Sequence, residues 1–283
     1  MKQIDILAIG NITQDIIRTE INVHYALGGT SYYAYKVASK LGVDIRIISE
    51  ISRDFNNEFL DDNKIFKQKS LNNTVFENIY ADGFRKQNLI KKPGKLLVKN
   101  FNDKSLEIKP KIIFYCPIFN EIEYGFFDLF PEAIKVCNLQ GLLRKVSHNT
   151  IKKKDKLPKL DFKKFDSVIL SEIDTSFENA LKISESSKIV CYTLGSNGVK
   201  IISNGKVKHI KTIKIKKIDE TGAGDVWSTS FIIFYYLMSK KLYESALLAN
   251  ISASLSVEGF TDQKIATYKE IINRKKNEKN KVR

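Results

Sequence analysis

The sequence predicts an α/β protein with a mostly parallel sheet covered by helices and a small antiparallel insertion. Two observations carry this prediction. Short runs rich in β-branched residues alternate with longer segments of helical periodicity, which is typical of βαβ units. One stretch, residues 72–107, interrupts this alternation with several strand-like runs and little helical periodicity. We expect it to form an antiparallel flap on the α/β core.

Strands of the core are expected wherever a short apolar run is bounded by turn residues. In chain order these are residues 4–9, 43–48, 111–115, 167–170, 188–193, 199–203 and 210–216. In the flap, strand-like runs cover residues 74–80, 86–90 and 96–100. Because parallel strands place their binding loops at their carboxyl ends, a ligand site is expected at that edge of the sheet.

Helices are expected between these strands. The segment 31–41 ends at Gly42, and glycine commonly adopts the left-handed conformation after the last helical residue. The other helical segments are 126–136, 176–185 and the apolar stretch that follows Asp225, while 54–59 fits a helix or a loop. The charged tail, residues 275–283, is expected to fray.

Composition excludes several classes of protein. The 283 residues are 43% hydrophobic and 28% charged, with no repeat or low-complexity linker, so one domain over 1–283 is expected. Three scattered cysteines and three scattered histidines argue against a disulfide scaffold and a zinc site. The longest strongly apolar run, residues 226–238, is too short to span a membrane. The first apolar run is too short for a signal peptide, so we expect a cytoplasmic protein.

The net charge of +15 comes mainly from lysine, since the 47 basic residues include only seven arginines. Arginine is the preferred reader of guanine and phosphate, and these lysines are spread along the chain. We therefore expect a solvated lysine-rich surface and no specific nucleic-acid partner. A positive field would still help to attract an anionic substrate.

The most informative stretch is a glycine turn between an expected strand and an apolar helix. It reads Asp219-Glu-Thr221-Gly222-Ala223-Gly224-Asp225. Glycines permit close approach of the backbone, and the free N–H groups and dipole of a helix start attract an anion. A carboxylate in that position can orient and deprotonate an attacking hydroxyl.

Three other interpretations of this turn are weaker. A dinucleotide fingerprint would need a third glycine where Trp227 stands, and it belongs on the first strand. A P-loop is excluded because no G-x-x-x-x-G-K-[ST] occurs in the chain. A plain turn with a helix-initiating Asp explains one or two residues but not the whole string.

The string Asp219-x-Thr221-Gly222-Ala223-Gly224-Asp225 resembles the C-terminal signature of ribokinase-like (PfkB-type) carbohydrate kinases. Three other segments support the resemblance along nearly the whole chain: Gly28-Gly29-Thr30, Thr193-x-Gly195-x-x-Gly198 and Ala249-Asn250. It implies a ribokinase-like three-layer α/β/α sandwich with a small inserted β-sheet lid. The lid would include approximately residues 12–27 and 72–107.

The resemblance also implies roles for individual residues. Asp225 would be the catalytic base, and the backbone of Gly222, Ala223 and Gly224 would form the anion hole. ATP would be bound by Thr193, Gly195, Gly198, Thr221 and Asn250. The acceptor would be bound by Asn11, Asp15, Gly28 and Gly29. ATP and Mg²⁺ are the expected cofactors, with a monovalent cation left open, in a monomer or a homodimer.

Two positions depart from the family pattern. Tyr33 stands where many sugar kinases have Asn. The N-x-x-E motif that organises magnesium appears as Ser171-Glu-Ile-Asp174, so Asp174 is the expected metal residue. A serine and a shorter carboxylate can still position metal-bound water.

Several further residues resemble kinases close to myo-inositol kinase. They are Thr74-x-Phe76-x-Asn78-x-Tyr80, Gly83-x-Arg85-x-Gln87, Pro117 and the segment from Gln140 to Arg144. Arg85, Gln87 and Gln140 are therefore candidate acceptor contacts, although each is equally compatible with a surface role.

The predicted function is ATP-dependent phosphorylation of a hydroxyl on a small sugar or cyclitol. A nucleoside kinase is the first alternative, because Tyr32, Tyr33 and Tyr35 could line a slot for a base. A second is an inactive kinase-like module that binds nucleic acid or protein. A dehydrogenase ranks lower.

Overall fold

The chain forms two sheets and a set of covering helices, seen in a computed structural model that describes residues 1–55, 60–81, 84–101 and 106–281. The strands are β1 Lys2–Ile9, β2 Thr13–Arg18, β3 Val23–Gly28, β4 Ile45–Ser52, β5 Ile65–Ser70, β6 Thr74–Ala81, β7 Phe84–Lys91, β8 Ile108–Tyr115, β9 Ile134–Asn138, β10 Arg144–Ser147, β11 Thr150–Lys153, β12 Ser167–Ser171, β13 Ile189–Thr193, β14 Val199–Ser203 and β15 Lys206–Ile210. The helices are α1 Thr30–Lys40, α2 Phe177–Ser184, α3 Ala223–Ile232, α4 Leu242–Ser256 and α5 Tyr268–Lys281.

The larger sheet has the order β15-β14-β13-β12-β9-β8-β1-β4-β5. Its pairs from β12 to β5 are parallel, and so is β12 with β13. Among the described strands of this sheet, β13 with β14 and β14 with β15 pair antiparallel, at one edge. Since the parallel strands end at the same edge, the loops that follow β1, β8, β12 and β13 lie side by side.

Hydrophobic side chains cover both faces of this sheet. Along β1, Ile6 and Ala8 point into one cluster, which also contains residues of α1, α3 and α4. Leu7 and Ile9 point into the opposite cluster, which contains Phe126. This alternation follows from the two-residue period of a strand. The result is a three-layer α/β/α sandwich, so the predicted fold class is confirmed.

A second sheet has the order β10-β11-β7-β6-β2-β3 and is the lid. Its pairs are antiparallel except for β2 with β6. The expected lid segment 12–27 covers β2 and most of β3, and 72–107 covers β6 and β7. Residues 144–153 add β10 and β11, which the sequence did not predict.

The prediction of a helix at residues 126–136 is wrong. A short 3₁₀ segment spans Tyr124–Asp128, and strand β9 follows at Ile134–Asn138. Pro131 lies between them and cannot continue a helix. The apolar run at 134–138 is instead buried between β8 and β12 in the sheet.

Three other expectations are also wrong. Residues 211–216 form no strand, because β15 ends at Ile210. Residues 96–100 do not join the flap: Leu96 forms one bridge to Ile122, and a 3₁₀ turn spans Val98–Asn100. The charged tail is helical up to Lys281, where α5 ends.

Some expectations fall outside the described residues. These are most of the segment 54–59, Gly83 of the flap motif, residues 102–105 of the expected lid, and the last two residues of the tail. Among the described residues, no helix is long and apolar enough to cross a membrane.

Candidate active site

Asp225 lies in the first turn of α3, directly after the glycine turn. Gly222 is the N-cap of this helix and has a φ of 77°, in the left-handed region that suits glycine. Thr30, the first residue of α1, donates a hydrogen bond from Oγ1 to Asp225 Oδ1 at 2.6 Å. Two helix N-termini therefore meet at this carboxylate, and their dipoles favour negative charge there.

The acidity of Asp225 is set by opposing effects. Burial raises its pKa from the ordinary value of 3.8 to about 6. The hydrogen bond from Thr30 and the charges of Arg144 and Arg85 lower the pKa, while Asp15 raises it. A carboxylate with a pKa near 6 is mostly ionised at neutral pH and can still accept a proton from a hydroxyl. These properties suit a general base.

The turn before Asp225 is held by Asp219. Its Oδ1 accepts hydrogen bonds from the N–H of Thr221 at 2.9 Å and from Thr221 Oγ1 at 2.7 Å. The N–H of Ala223 donates to the carbonyl of Glu220 at 3.1 Å. Within the described part of the chain, the N–H groups of Gly222 and Gly224 donate no such backbone bond outside the helix. Of the three residues expected in the anion hole, these two have free N–H groups for an anion.

The lid places a connected set of polar side chains on the strands next to this turn. Asn78 Oδ1 accepts hydrogen bonds from Arg85 Nη2 at 2.8 Å and from Gln87 Nε2 at 2.9 Å. Asn78 Nδ2 donates to Asp15 Oδ2 at 3.4 Å, and Thr13 Oγ1 donates to Asp15 Oδ1 at 2.7 Å. Burial raises the pKa of Asp15, although Thr13 and the arginines counteract it. The expected acceptor residues Asp15, Arg85 and Gln87 are thus brought together.

The lid also contacts the glycine turn directly. Tyr80, near the end of β6, shares a hydrogen bond of 2.9 Å with Thr221 Oγ1. The guanidinium of Arg85 lies over the ring of Tyr80, 5.9 Å from its centroid. The polar set of the lid and the glycine turn are therefore parts of one candidate site.

The glycine pair and Asn11 serve mainly to build this site. A Cβ on Gly28 would lie 2.6 Å from Asp15 Oδ2, and one on Gly29, where φ is 84°, would lie 2.6 Å from the Asn11 carbonyl oxygen. The Asn11 amide bonds to Glu50: Oδ1 accepts from the backbone N–H at 2.8 Å, and Nδ2 donates to Oε2 at 3.3 Å. We find Asn11 holding the loop after β1, with its side chain engaged by Glu50.

Arg144 reaches the site from the first residue of β10. Its Nη1 donates to the carbonyl of Ile118 at 3.1 Å, and its guanidinium lies 5.6 Å from the centroid of the Phe76 ring. Gln140 lies in the 3₁₀ turn just before β10, where its N–H donates to Asn138 Oδ1 at 3.1 Å. The turn that contains Gln140 therefore positions Arg144. The charge of Arg144 lowers the pKa of both Asp15 and Asp225.

A cavity of about 440 Å³ opens beside Arg144, away from the glycine turn. Its walls include the basic side chains Lys92, Lys95, Lys145 and Lys154. The positive charge of the chain is thus concentrated beside the lid as well as spread over the surface, which favours the approach of anionic molecules.

Three of the five residues expected to bind ATP lie at or just after the end of β13. Thr193 is the last residue of β13, and Gly195 opens the 3₁₀ turn that follows. Gly198 has a φ of 91°, and a Cβ there would lie 2.2 Å from the Ile210 carbonyl oxygen. This position therefore requires glycine for both its conformation and its close backbone approach.

The amide of Asn250 is fully used within the protein. Nδ2 donates to the carbonyls of Ile210 at 2.9 Å and Lys211 at 3.2 Å, and Oδ1 accepts from Trp227 Nε1 at 2.7 Å. These bonds hold the end of β15 against α3 and α4, and they explain why no strand continues past Ile210.

Asp174 closes a tight turn after β12. Its Oδ2 accepts hydrogen bonds from the N–H of Ser171 at 2.9 Å and from Ser171 Oγ at 2.7 Å. Burial raises its pKa, and Ser171 and Arg144 counteract this. Within the described ranges no three His, Cys, Asp or Glu side chains group into a metal site. Asp174 Oδ1 accepts no hydrogen bond there, so one carboxylate oxygen remains for an ion whose other ligands are water and phosphate, as Mg²⁺ prefers.

Sequence reasoning missed two contributors to the site. The sequence indicates Thr30 only as the residue that follows the glycine pair, yet its hydroxyl donates a hydrogen bond to Asp225. No sequence pattern indicates Thr13, yet its hydroxyl donates a hydrogen bond to Asp15. A threonine at the start of a helix is an ordinary N-terminal residue, so no local signal marks its bond to a carboxylate 195 positions away.

Comparison with known proteins agrees with this geometry. Residues 167–267 match the model of the pfkB family carbohydrate kinases. This part of the chain is similar to the PfkB family. The resemblance seen in the glycine turn is therefore confirmed, because Asp219 to Asp225 lie inside the matched segment. Members of the PfkB family are carbohydrate kinases, so the predicted enzyme class, a phosphotransferase with an alcohol acceptor, is confirmed.

Solved structures extend the likeness of fold to nearly the whole chain. A pyrophosphate-dependent kinase in the ribokinase family is 18% identical, with 95% of this chain and 99% of that chain covered and a TM-score of 0.79. Ribokinase from Thermotoga maritima is 19% identical over 97% of this chain and 100% of its own, with a TM-score of 0.78. Arabidopsis thaliana ribokinase, complexed with ribose and ATP, is 17% identical over 96% and 98%, with a TM-score of 0.73. No curated protein matches the sequence. The chain thus has a ribokinase-like fold.

Proposed function

We propose that this chain is an ATP-dependent kinase that phosphorylates a hydroxyl of a sugar or cyclitol. The carrying observation is the position of Asp225. Its carboxylate has one oxygen bound by Thr30, lies at a helix N-terminus, and is within the electrostatic reach of Asp15, Arg85 and Arg144. A base, an anion-binding turn and the polar side chains of the lid that would bind the acceptor therefore lie in one site.

The mechanism follows from these groups. An acceptor hydroxyl held by the polar set of the lid would donate its proton to Asp225 as its oxygen bonds to the γ-phosphorus. The bond between that phosphorus and the bridging oxygen breaks, and the nucleoside diphosphate leaves. The free N–H groups of Gly222 and Gly224 would stabilise the negative charge on the transferring group. Mg²⁺, when bound, would neutralise the donor phosphates, and Asp174 is the residue that would hold it.

The lid supports a polyol acceptor. Asp15, Asn78, Arg85 and Gln87 offer both donors and acceptors of hydrogen bonds to a ring with several hydroxyls. A substrate without those hydroxyls would make fewer hydrogen bonds to these side chains, which lowers its rate. A pyrophosphate-dependent kinase with the same fold has been solved with myo-inositol, which supports a cyclitol among the candidates.

The nucleoside alternative has less support. Tyr32 is 3% exposed and donates a hydrogen bond to Asp262 Oδ2 at 2.6 Å. Tyr33 is 2% exposed and packs on Gly222. Neither ring presents an open face to a base.

The solved structures of this fold differ in their phosphoryl donor. Ribokinase from Arabidopsis thaliana and a fructokinase from Xylella fastidiosa were solved with ATP, whereas another kinase of this fold depends on pyrophosphate. Because the Asn250 amide is engaged inside the protein, it has no N–H left for an adenine. Pyrophosphate must therefore be tested beside ATP as the phosphoryl donor.

The test is a phosphorylation screen of the purified protein with magnesium, with and without potassium. ATP and pyrophosphate are each combined with inositols, pentoses, hexoses and nucleosides, and the phosphorylated product is detected by mass spectrometry. We expect ATP-dependent phosphorylation of a cyclitol or sugar. A higher kcat/KM for adenosine or cytidine would overturn the acceptor class and leave the kinase proposal standing.

A second outcome distinguishes the inactive module. Absence of turnover with every donor and acceptor, together with retention on immobilised nucleic acid at about 0.2 M salt, would replace the kinase proposal. The cytoplasmic location and the state of monomer or homodimer stay predictions of the sequence.

A further inference from the structure

Tyr33 has a buried hydroxyl with no hydrogen-bond partner. Among the described residues, only its Oη and Ser52 Oγ are buried side-chain oxygens or nitrogens without a partner. Buried polar groups are nearly always paired, so each exception needs an explanation. Ser52 lies at the end of β4, whereas Tyr33 lies in α1 beside the glycine turn.

The hydroxyl end of the Tyr33 ring lies directly against the anion-binding turn. A Cβ built on Gly222 would lie 2.1 Å from Tyr33 Cζ, the atom that carries the hydroxyl, and 2.3 Å from Cε1. The absent side chain of Gly222 is therefore replaced by this ring. Gly222 must be glycine both for its φ and for the space that Tyr33 occupies.

The surroundings keep this hydroxyl a donor. Burial raises the pKa of Tyr33 far above its ordinary value, and the negative charges of Asp225, Asp15, Asp219 and Asp262 raise it further. The phenol thus stays neutral and retains its proton at any physiological pH.

The nearby carboxylates already have other partners. Asp225 is bonded by Thr30, Asp15 by Thr13, and Asp219 by Thr221. A neutral O–H that points at a helix N-terminus, and that no carboxylate has captured, matches an external group that only accepts hydrogen bonds. The oxygens of a phosphoryl group are such acceptors.

We propose that the Tyr33 hydroxyl donates a hydrogen bond to the phosphoryl group during its transfer, beside the free amides of Gly222 and Gly224. Tyr33 is then a further catalytic residue, which touches the transferring group and not the acceptor. This inference rests on the proposed function, since it assigns a role within the same site. It also gives a physical reason for a bulky tyrosine against the glycine turn.

The test is Tyr33→Phe, which removes one oxygen and keeps the ring. In the unliganded protein this removes an unpaired buried hydroxyl, so we expect an equal or higher Tm. With substrates, kcat is expected to fall roughly 10- to 100-fold, the usual effect of losing a hydrogen bond to a charged group, while the acceptor KM changes by less than about twofold.

Two control variants separate this role from a structural one. Ser52→Ala removes the other unpaired hydroxyl and is expected to leave kcat unchanged. Tyr32→Phe removes a hydroxyl that is bonded to Asp262, so it is expected to lower the Tm. The two tyrosine variants should therefore change the Tm in opposite directions, because the Tyr32 hydroxyl has a partner and the Tyr33 hydroxyl has none.

A second measurement does not depend on turnover. Inorganic phosphate at millimolar concentration should raise the Tm of the wild type, and Tyr33→Phe should lose most of that increase. If no acceptor is phosphorylated but this difference is seen, the proposed function fails and the contact of Tyr33 with the anion stands. Equal stabilisation of both proteins, no stabilisation of the wild type, or a Tyr33→Phe variant with wild-type kcat would overturn the inference.

Discussion

Replacing Asp225 by Asn tests both the base and its electrostatic environment. The Asn amide oxygen can still accept the hydrogen bond from Thr30, so the geometry of the turn is preserved. Loss of a general base lowers turnover by about 10²–10⁴-fold. We therefore expect kcat to fall by that factor, with the affinity for the donor little changed in calorimetry.

The same substitution should stabilise the protein. Burial raises the pKa of Asp225 from 3.8 to about 6, so the folded protein favours the protonated form. The cost of ionising Asp225 is absent below about pH 4, develops between about pH 4 and pH 6, and is fully present above. The shift in the pKa of Asp225 corresponds to a destabilisation of the folded protein of about 3 kcal/mol, at 1.36 kcal/mol per pH unit. Because Asp225 is only partly buried, solvent screening lowers this destabilisation, and we expect about 1–3 kcal/mol.

The assay is a pair of profiles over pH 4–8 for the wild type and the variant. Wild-type kcat/KM should fall about tenfold per pH unit below about pH 6, as the base is protonated. The variant should unfold at a Tm a few degrees higher above pH 6 and at an equal Tm near pH 4. Asp155→Asn, at an exposed carboxylate, serves as the control for loss of charge. A variant with wild-type turnover, or one less stable than the wild type at pH 7, would refute the assignment.

Three further substitutions test the surrounding contacts. Thr30→Val removes a hydrogen bond that lowers the pKa of Asp225, the proposed base, so kcat should fall about tenfold and the acid limb of the pH profile should move to higher pH. Gly222→Ala places a methyl group against the Tyr33 ring at a φ of 77° and should lower stability by at least about 1–2 kcal/mol in urea unfolding, whereas Gly224→Ala, with open space around its Cβ, should not. Arg85→Ala should raise the acceptor KM about tenfold or more with a smaller effect on kcat, and an unchanged KM would remove it from the acceptor wall.

Local chemistry made the core and the glycine turn predictable. The first strand, α1 and the turn before α3 follow from apolar runs, a C-terminal glycine and a pair of glycines whose spacing fits one conformation. Each signal lies within about ten residues of the feature it predicts. The left-handed φ of Gly222 is the observation that such a signal anticipates.

Features that depend on distant partners were not predictable. Strands β10 and β11 are short, half-exposed and lysine-rich, and they exist because β11 pairs with β7 through Thr150 and Asn88. Their sequence carries no alternation of apolar and polar residues that would indicate a strand. The apolar pattern at 126–136 fits a helix, and only Pro131 and the space between β8 and β12 decide against it.

Some motif residues build the site, and others can bind a ligand. The two kinds differ in how many of their side-chain donors and acceptors have no hydrogen-bond partner within the protein. Asn250 uses both N–H groups and its oxygen inside the protein, so its place in the motif is explained by the loop it holds. Asn11 is engaged in the same way by Glu50. Asp225 instead has only one of its oxygens bonded, and Tyr33 has a hydroxyl with no partner. The unpaired buried hydroxyl of Tyr33 is costly, and the second carboxylate oxygen of Asp225 is still free to accept a proton. We therefore propose that a bound phosphoryl group pairs with Tyr33 and that the acceptor hydroxyl pairs with Asp225. Sequence shows which polar residues a motif contains, but their remaining capacity depends on contacts made across the whole fold.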